Sequence, residues 1–142
     1  MTTLIESPHF ELVHDPTYAC LYATWQGPHD APVTQVNYEL IFWFVRRTRS
    51  TKLLNDCLLD QNGWQQLTSW LTQDCFPRLA QEGLTAVAWV LPRDVQALGD
   101  TRKVLALLEQ PLVGTFDDPE AAYNWLHQWP KTGKGNPTGT HP

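Results

Sequence analysis

Short apolar runs separated by turn-forming residues open the chain. Three such runs, rich in β-branched and aromatic residues, lie within residues 3–25 and are separated by Pro8-His9 and by Asp15-Pro16-Thr17. Runs of this length, divided by Pro and Asp, are typical of an antiparallel meander. The pattern therefore predicts three strands, over residues 3–7, 10–14 and 18–25.

The next apolar positions recur at helical spacing. After Pro32 they follow one another at intervals of three or four residues: Val33, Val36, Leu40 and Phe44. Three arginines end the segment, where cations favour a helix C-terminus: Arg46, Arg47 and Arg49. The pattern predicts a helix over residues 32–49. A strand through residues 40–45 is the alternative, and we prefer the helix because eighteen residues are too many for one strand.

Beyond residue 50, strand-length runs alternate with helical patterns. We predict strands over residues 53–59, 84–91 and 112–116. The run over residues 84–91 is nearly all apolar, as in a strand buried on both faces, and we expect it at the centre of the sheet.

Three helices are predicted between and after these strands. The first runs from Trp64 to about Gly83, which ends it, and Pro77 must kink or split it. The second runs from about residue 92 to residue 109. The last begins at Asp118-Pro119-Glu120, an N-cap followed by proline and an acidic first turn.

The element order βββαβαβαβα predicts an α/β fold. Its mixed β-sheet would consist of an N-terminal antiparallel meander followed by parallel βαβ units, flanked by helices. We expect one domain over residues 1–129. Residues 130–142 contain no apolar side chain to bury, so we expect a flexible tail there.

Composition excludes several classes of protein. The 142 residues include 15 acidic and 10 basic side chains, a net charge of −5 that argues against a nucleic-acid partner. Cys20, Cys57 and Cys75 are odd in number and widely spaced, so neither a disulfide framework nor a zinc knuckle is predicted. No segment has the composition of a signal peptide or a membrane span, and we expect a cytoplasmic protein.

Motifs for catalysis are absent from the sequence. It contains no P-loop, no dinucleotide-binding glycine motif, no G-x-S-x-G and no H-x-x-x-H pair. We therefore predict no enzymatic activity, no cofactor and no metal site. Asp56 and Asp60, near the end of one predicted parallel strand, form the best carboxylate couple. We favour the alternative that they are a turn cap and a solvated carboxylate.

Two groups of residues are candidates for binding. Residues 46–52 hold four of the ten basic side chains, which could bind an anionic partner or a lipid head group. We favour the alternative that they complement the helix dipole. Among the seven tryptophans we expect Trp43 and Trp64 to lie outside the core. The candidate binding residues are Trp43, Arg46 and Arg47 on the helix, and Asp56, Asp60, Gln61, Asn62, Gly63 and Trp64 around the following loop.

A series of short motifs resembles the SpoIIAA-like, or STAS-like, family of small bacterial proteins over residues 5–128. The motifs are Trp25-x-Gly27, Leu54-Asn-Asp56, Trp70-Leu71 with Phe76-Pro77 and Gly83-Leu84, Ala88-x-Val90-x-Pro92-x-Asp94, and Phe116-Asp117-x-x-Glu120-Ala121-x-x-Trp125-Leu126. The resemblance implies a mixed sheet flanked by helices and no enzymatic activity. A related group with this general fold binds lipids between sheet and helices.

One feature of that family is missing from this chain. In anti-sigma factor antagonists with this fold, a serine after the strand equivalent to residues 53–58 is phosphorylated and switches partner binding. The corresponding residues 56–64 contain neither Ser nor Thr. The resemblance therefore implies a family member without the phosphorylation switch.

These observations leave three expectations for function. The first is a non-enzymatic interaction or regulatory domain that docks an unknown protein partner, or itself, through the helix over residues 32–49 and the loop over residues 60–64. The second is a module that binds an apolar small molecule or lipid, based on Trp43, Trp70 and the basic segment. The third is an enzyme with an unrecognised carboxylate site.

Overall fold

Six strands form one mixed sheet in the order in which they occur along the chain. The computed structural model describes residues 1–61 and 65–130. The strands are β1 (Thr2–Ser7), β2 (Phe10–Asp15), β3 (Cys20–Gly27), β4 (Lys52–Asp60), β5 (Ala86–Val90) and β6 (Leu112–Phe116). The first three pair antiparallel, and β4, β5 and β6 continue parallel to β3. The predicted meander and the parallel units that follow it are both confirmed.

Helices link the parallel strands and follow the last one. They are α1 (Ala31–Thr48), α2 (Thr68–Trp70), α3 (Phe76–Gln81), α4 (Val95–Leu107) and α5 (Pro119–His127). The helix predicted over residues 32–49 is confirmed, and the alternative strand over residues 40–45 is wrong. The long α-helices begin at aspartates whose side chains accept a hydrogen bond from the backbone N–H three residues later: Asp30, Asp94 and Asp118.

The segment over residues 65–81 is split, as Pro77 predicts. A 3₁₀ turn (Gln65–Leu67) leads into α2, and a π-helical turn (Leu71–Cys75) separates α2 from α3. Pro77 lies in the first turn of α3, directly after the π-helical turn. Gly83 ends the segment with a φ of 114°, and Leu84 N–H donates to the carbonyl of Leu79. This C-terminal arrangement is the one that glycine favours.

Helices cover both faces of the sheet. Helix α1 and residues 65–81 pack on one face, which we call the α1 face, and its core includes Trp25, Leu53, Phe76 and Trp89. Helix α5 packs on the opposite, α5 face against β4, β5 and β6. The core there is smaller and contains mainly short side chains, with Phe116 as its largest buried member.

The prediction that residues 84–91 lie at the centre of the sheet is wrong. Strand β5 is one strand in from the edge, and β3 and β4 occupy the centre. All five residues of β5 are nevertheless buried, since Val87 and Trp89 face the α1 core while Ala86, Ala88 and Val90 face the α5 core. An all-apolar strand therefore indicates that both of its faces are covered. It does not indicate the position of the strand within the sheet.

Candidate functional site

Helix α1 is apolar on two sides. Its inner side buries Thr34, Tyr38, Ile41 and Val45 against the sheet. Its outer side carries a second row, which we call the outer seam: Val33, Val36, Leu40 and Trp43. Val33, Val36 and Trp43 are 49 %, 58 % and 47 % exposed, and Leu40 is half-buried. The intervals of three, four and three residues match the spacing by which one helix packs along another.

A groove of about 840 Å³ runs beside the outer seam. Phe42 and Phe44 extend its apolar lining, and Arg78 of α3 closes one side. The Arg78 guanidinium lies 4.5 Å from the centre of the Phe42 ring and pairs with Glu39 at 3.0 Å. Desolvation opposes the charge, but the carboxylate beside it holds the pKa of Arg78 above its usual range. The groove is therefore largely apolar, and the ion pair between Arg78 and Glu39 lies on its wall.

The basic segment divides into a helix end and a buried lysine. Arg46 and Arg47 lie in the last turn of α1, as the dipole interpretation predicts. Arg47 stacks over Trp43 at 4.6 Å from the ring centre, and Arg46 pairs with Glu82 at 3.7 Å. Lys52, by contrast, is buried and donates to the carbonyls of Leu126 and Trp129 after crossing to the α5 face. It contributes nothing to a basic surface.

Three residues of the predicted loop site, Asn62, Gly63 and Trp64, lie outside the described residues. Gln61 directly precedes them and is exposed, and its backbone N–H donates to the carbonyl of Gly27 at 3.2 Å. This hydrogen bond continues the β3–β4 pairing by one residue. Gln61 therefore lies at the carboxyl ends of two parallel strands.

The structure does not bring Asp56 and Asp60 together. Thr24 pairs with Asp56 and Gln26 with Leu59, so β4 contains one more residue than β3 over this stretch and forms a bulge. Within β4, the Asp56 carboxylate accepts from the backbone N–H of Leu58, and burial raises the pKa of the Asp56 carboxyl. Asp60 is 3 % exposed and bonds on the α1 face, so the expected solvated carboxylate is instead buried.

A buried network that the sequence did not predict holds Asp60. His29 Nε2 bonds to Asp60 Oδ1, and His29 Nδ1 bonds to the hydroxyl of Thr34. The connectivity is that of a catalytic triad, but the Thr34 side chain is buried at 1 % exposure and its hydroxyl donates to the carbonyl of Asp30 at 2.8 Å. This hydroxyl is therefore shielded from solvent and already uses its proton at the start of α1. The network instead joins the end of β4 to the start of α1.

A second buried network lies beneath α1. Trp25 Nε1 donates to Asn55 Oδ1 at 2.8 Å, and Asn55 Nδ2 donates to the Tyr38 hydroxyl at 3.1 Å. All three residues are nearly inaccessible, so each polar atom depends on its neighbour for a partner. No sequence motif links these residues, because they come from β3, β4 and α1. Together with His29, they fix the inner side of α1 and thereby the direction of the outer seam.

A smaller groove of about 530 Å³ lies at the carboxyl ends of β3 and β4. His9, Gly27, Asp60 and Arg93 contribute to its lining. A Cβ at Gly27 would approach His9 Nδ1 to 2.8 Å, and the φ of Gly27 is 76°, so a larger residue would be strained there and would displace the His9 ring. Within residues 1–61 and 65–130, no group of three or more His, Cys, Asp or Glu side chains could hold a metal ion.

None of the helices in the described part of the chain has the length and apolar composition needed to cross a bilayer. No model of a known protein family matches the chain, and no curated protein or solved structure is significantly similar to it. Membership of the SpoIIAA-like family therefore stays a prediction from the sequence motifs.

Proposed function

We propose that this chain is a non-enzymatic interaction domain that docks an amphipathic helix of a protein along the outer seam of α1. The observation that carries the proposal is the seam itself, a helical row of half-exposed apolar residues with a groove of about 840 Å³ beside it. Contiguous apolar surface of this kind marks interaction sites on soluble domains. The resemblance to the SpoIIAA-like family supports the same class of function.

The geometry of the seam suits a helix better than an extended peptide. A helix lying along α1 at about 20° would insert its own apolar residues between those of the seam. Trp43 would supply the large aromatic anchor that dominates many interfaces, with Arg47 stacked against it at the edge. Val36 and Trp43 are each about half exposed. Burying the rest of each side chain against a partner would contribute about 1 kcal/mol or more per residue to the free energy of binding.

The test compares a seam variant with a matched control elsewhere. Trp43→Glu places a charge in the seam, while Val95→Glu places one at an 84 % exposed apolar residue of α4 that does not line the groove. Proteins retained by the immobilised wild-type chain would be identified by mass spectrometry, purified, and titrated calorimetrically against all three forms. We expect Trp43→Glu to weaken binding at least tenfold and Val95→Glu to leave it unchanged. The proposal fails if every interaction survives Trp43→Glu.

A second candidate function is the binding of an apolar small molecule or lipid. It is favoured by the volume and the aromatic lining of the groove beside α1, since ligand pockets are usually about 300 Å³ or larger. Native mass spectrometry of the freshly purified chain would detect a retained molecule. A mass equal to that of the bare chain, together with no uptake of a fluorescent fatty acid, would eliminate this candidate.

A further inference from the structure

We propose that the open half of the α5 face binds a basic amphipathic helix of another protein, at a site separate from the outer seam. The open half is the part of this face formed by β1, β2, β3 and the carboxyl end of β4. Three features carry the proposal: the helix layer is incomplete there, a row of carboxylates crosses the sheet without a basic partner, and apolar side chains lie beside that row.

The helix layer on the α5 face covers only part of the sheet. Helix α5 contacts β4, β5 and β6, and it meets β3 where His127 bonds to Tyr22. Among the helices of residues 1–61 and 65–130, none makes extensive contact with β1, β2 or β3 from this side. Packed helices lie about 8–10 Å apart and neighbouring strands about 4.8 Å apart. One further helix beside α5 would therefore lie about two strands from β5, over β3.

A row of three carboxylates crosses the open half. The residues on either side of Glu11 in β2 belong to the core of the α1 face, so Glu11 itself faces the α5 side. Glu11 pairs with Glu6 of β1 and with Thr24 of β3, and Thr24 pairs in turn with Asp56 of β4. Because residues paired across strands share a face, Glu6, Glu11 and Asp56 lie in one row on the open half.

These carboxylates lack a basic partner in the part of the chain that the structure describes. No ion pair there includes Glu6, Glu11 or Asp56. Glu6 and Glu11 lie directly opposite each other, an arrangement of like charges that destabilises a sheet. Burial raises the pKa of the Asp56 carboxyl, although the hydrogen bond from the Leu58 N–H acts in the other direction. Cationic side chains of a partner would relieve both unfavourable effects.

Apolar side chains lie one level away from the row, along the strands. Val13 pairs with Tyr22, and both are half-buried on the same side of the sheet as Glu11. The Tyr22 ring lies 5.6 Å from that of Tyr123, which is 37 % exposed on α5. Residues two apart in a strand are separated by about 6.7 Å, close to the rise of about 6 Å over four residues of a helix. An amphipathic helix therefore matches both levels, with apolar residues on Val13 and Tyr22 and basic residues on the carboxylates.

The charge of the open half disfavours other occupants. A second copy of the chain would bring a net charge of −5 to an acidic surface, and nucleic acids and anionic lipids would be repelled by it. Residues 131–142 of the chain itself contain two lysines but no apolar side chain that could cover Val13 and Tyr22. The occupant that fits is a positively charged, amphipathic segment of another protein.

A designed peptide tests the proposal. The probe is a helix of about 18 residues, with leucines along one side and lysines at the flanking positions. Two reference peptides replace every lysine by glutamate or scramble the order, so that the leucines no longer share a side. Each peptide would be titrated calorimetrically against the full wild-type chain at low salt. We expect only the basic amphipathic helix to bind.

Glu11→Gln is the test variant, and Glu109→Gln is its matched control, because it removes the same charge from an exposed carboxylate beyond the end of α4. We expect Glu11→Gln to weaken binding about fivefold, and Glu109→Gln to change it by less than about twofold. The double variant with Glu6→Gln should lose about tenfold or more. Glu11→Gln also removes a repulsion from the sheet, so its melting temperature should equal or exceed that of the wild type. A loss of binding is then not a loss of folding.

Carbodiimide cross-linking locates the bound probe, since it joins a carboxylate of the chain to a lysine amine of the peptide through an amide bond. We expect mass spectrometry to find the products at Glu6 and Glu11. Products spread evenly over the acidic residues of the chain would overturn the proposal. Equal binding by Glu11→Gln and Glu109→Gln, or no binding at about 1 mM peptide, would also overturn it.

The two docking proposals fail independently, because the open half and the outer seam share no residue. Trp43→Glu should bind the basic probe as the wild type does. If the probe fails to bind while Trp43→Glu still releases a protein from the outer seam, the inference about the open half is wrong and the proposed function stands.

Discussion

His29 and Asp60 are bonded to each other in the interior, where the loop after β3 meets the last residue of β4. Both side chains are only 3 % exposed. The same imidazole bonds to Thr34 in the first turn of α1, so one side chain connects the sheet to the start of the helix. The orientation of α1, and of the seam on its outer side, depends on this contact.

Removing His29 should destabilise the fold. In His29→Ala the buried Asp60 carboxylate loses its imidazole partner, and we expect the free energy of unfolding to fall by about 3 kcal/mol. Urea denaturation followed by tryptophan fluorescence would measure it. His9→Ala is the matched control, because His9 is exposed and bonds to the carbonyl of Gln26 at the surface. Equal losses of unfolding free energy in the two variants would show that the buried contact stabilises the fold no more than the exposed one.

Stability should depend on pH through His127. Its Nε2 bonds to the Tyr22 hydroxyl at 2.7 Å, and that hydroxyl donates to Asp15 at 2.8 Å. Burial lowers the pKa of His127 below its ordinary 6.5, and Lys52 acts in the same direction while Asp15 opposes it. The unfolded chain therefore binds a proton more readily than the folded chain just below pH 6.5, so stability should fall on acidification through that region.

The measurement is the urea midpoint at several pH values between 5 and 7.5. We expect it to decrease toward pH 5 in the wild-type chain and to decrease less steeply in His127→Gln, which keeps a hydrogen-bonding side chain but cannot titrate. Parallel pH profiles for the two proteins would rule out His127 as the source of the dependence.

Replacing Arg49 by glycine should stabilise the protein. Arg49 ends α1 with a φ of 58° and a ψ of 35°, the left-handed conformation that costs most residues about 1 kcal/mol and glycine very little. We expect Arg49→Gly to raise the free energy of unfolding by up to about 1 kcal/mol, visible as a melting temperature a few degrees higher. Arg46→Gly, inside the helix, should have the opposite sign. The explanation fails if both variants are destabilised.

The three cysteines should be unreactive in the folded chain. All are buried, and burial raises the pKa of Cys20 to about 12 and those of Cys57 and Cys75 also well above the ordinary value. At pH 8 an aromatic disulfide reagent should therefore titrate no thiol within minutes, and three after denaturation in guanidinium. One fast-reacting thiol in the native chain would contradict this arrangement.

Local sequence patterns predicted the elements of this fold well. The alternation of apolar runs with helical spacing placed all six strands, and Asp118-Pro119-Glu120 marked the start of α5, because caps and periodicity depend on residues close together in the chain. The same pattern identified Trp43 as an exposed tryptophan. The apolar row on which that prediction relied, Val33, Val36, Leu40 and Phe44, is however not the buried one, because α1 buries Thr34, Tyr38, Ile41 and Val45 against the sheet.

Those local patterns did not predict the contacts between residues that are distant in the chain. A bulge in β4 changes which face Asp60 meets, so the couple of Asp56 and Asp60 does not form, and His29, 31 residues away in the chain, bonds to Asp60 instead. Lys52 was grouped with the arginines by its position in the chain, yet it points to the α5 face.

The sequence by itself determined the type, order and ends of the elements, since hydrogen bonding within a helix or strand and the burial of one face depend on near neighbours. Only the tertiary structure decided the position of β5 in the sheet, the contact between Asp60 and His29, and the exposure of the outer seam. Each of these depends on which elements pack together, and that packing is set by the summed burial of side chains brought from distant parts of the chain.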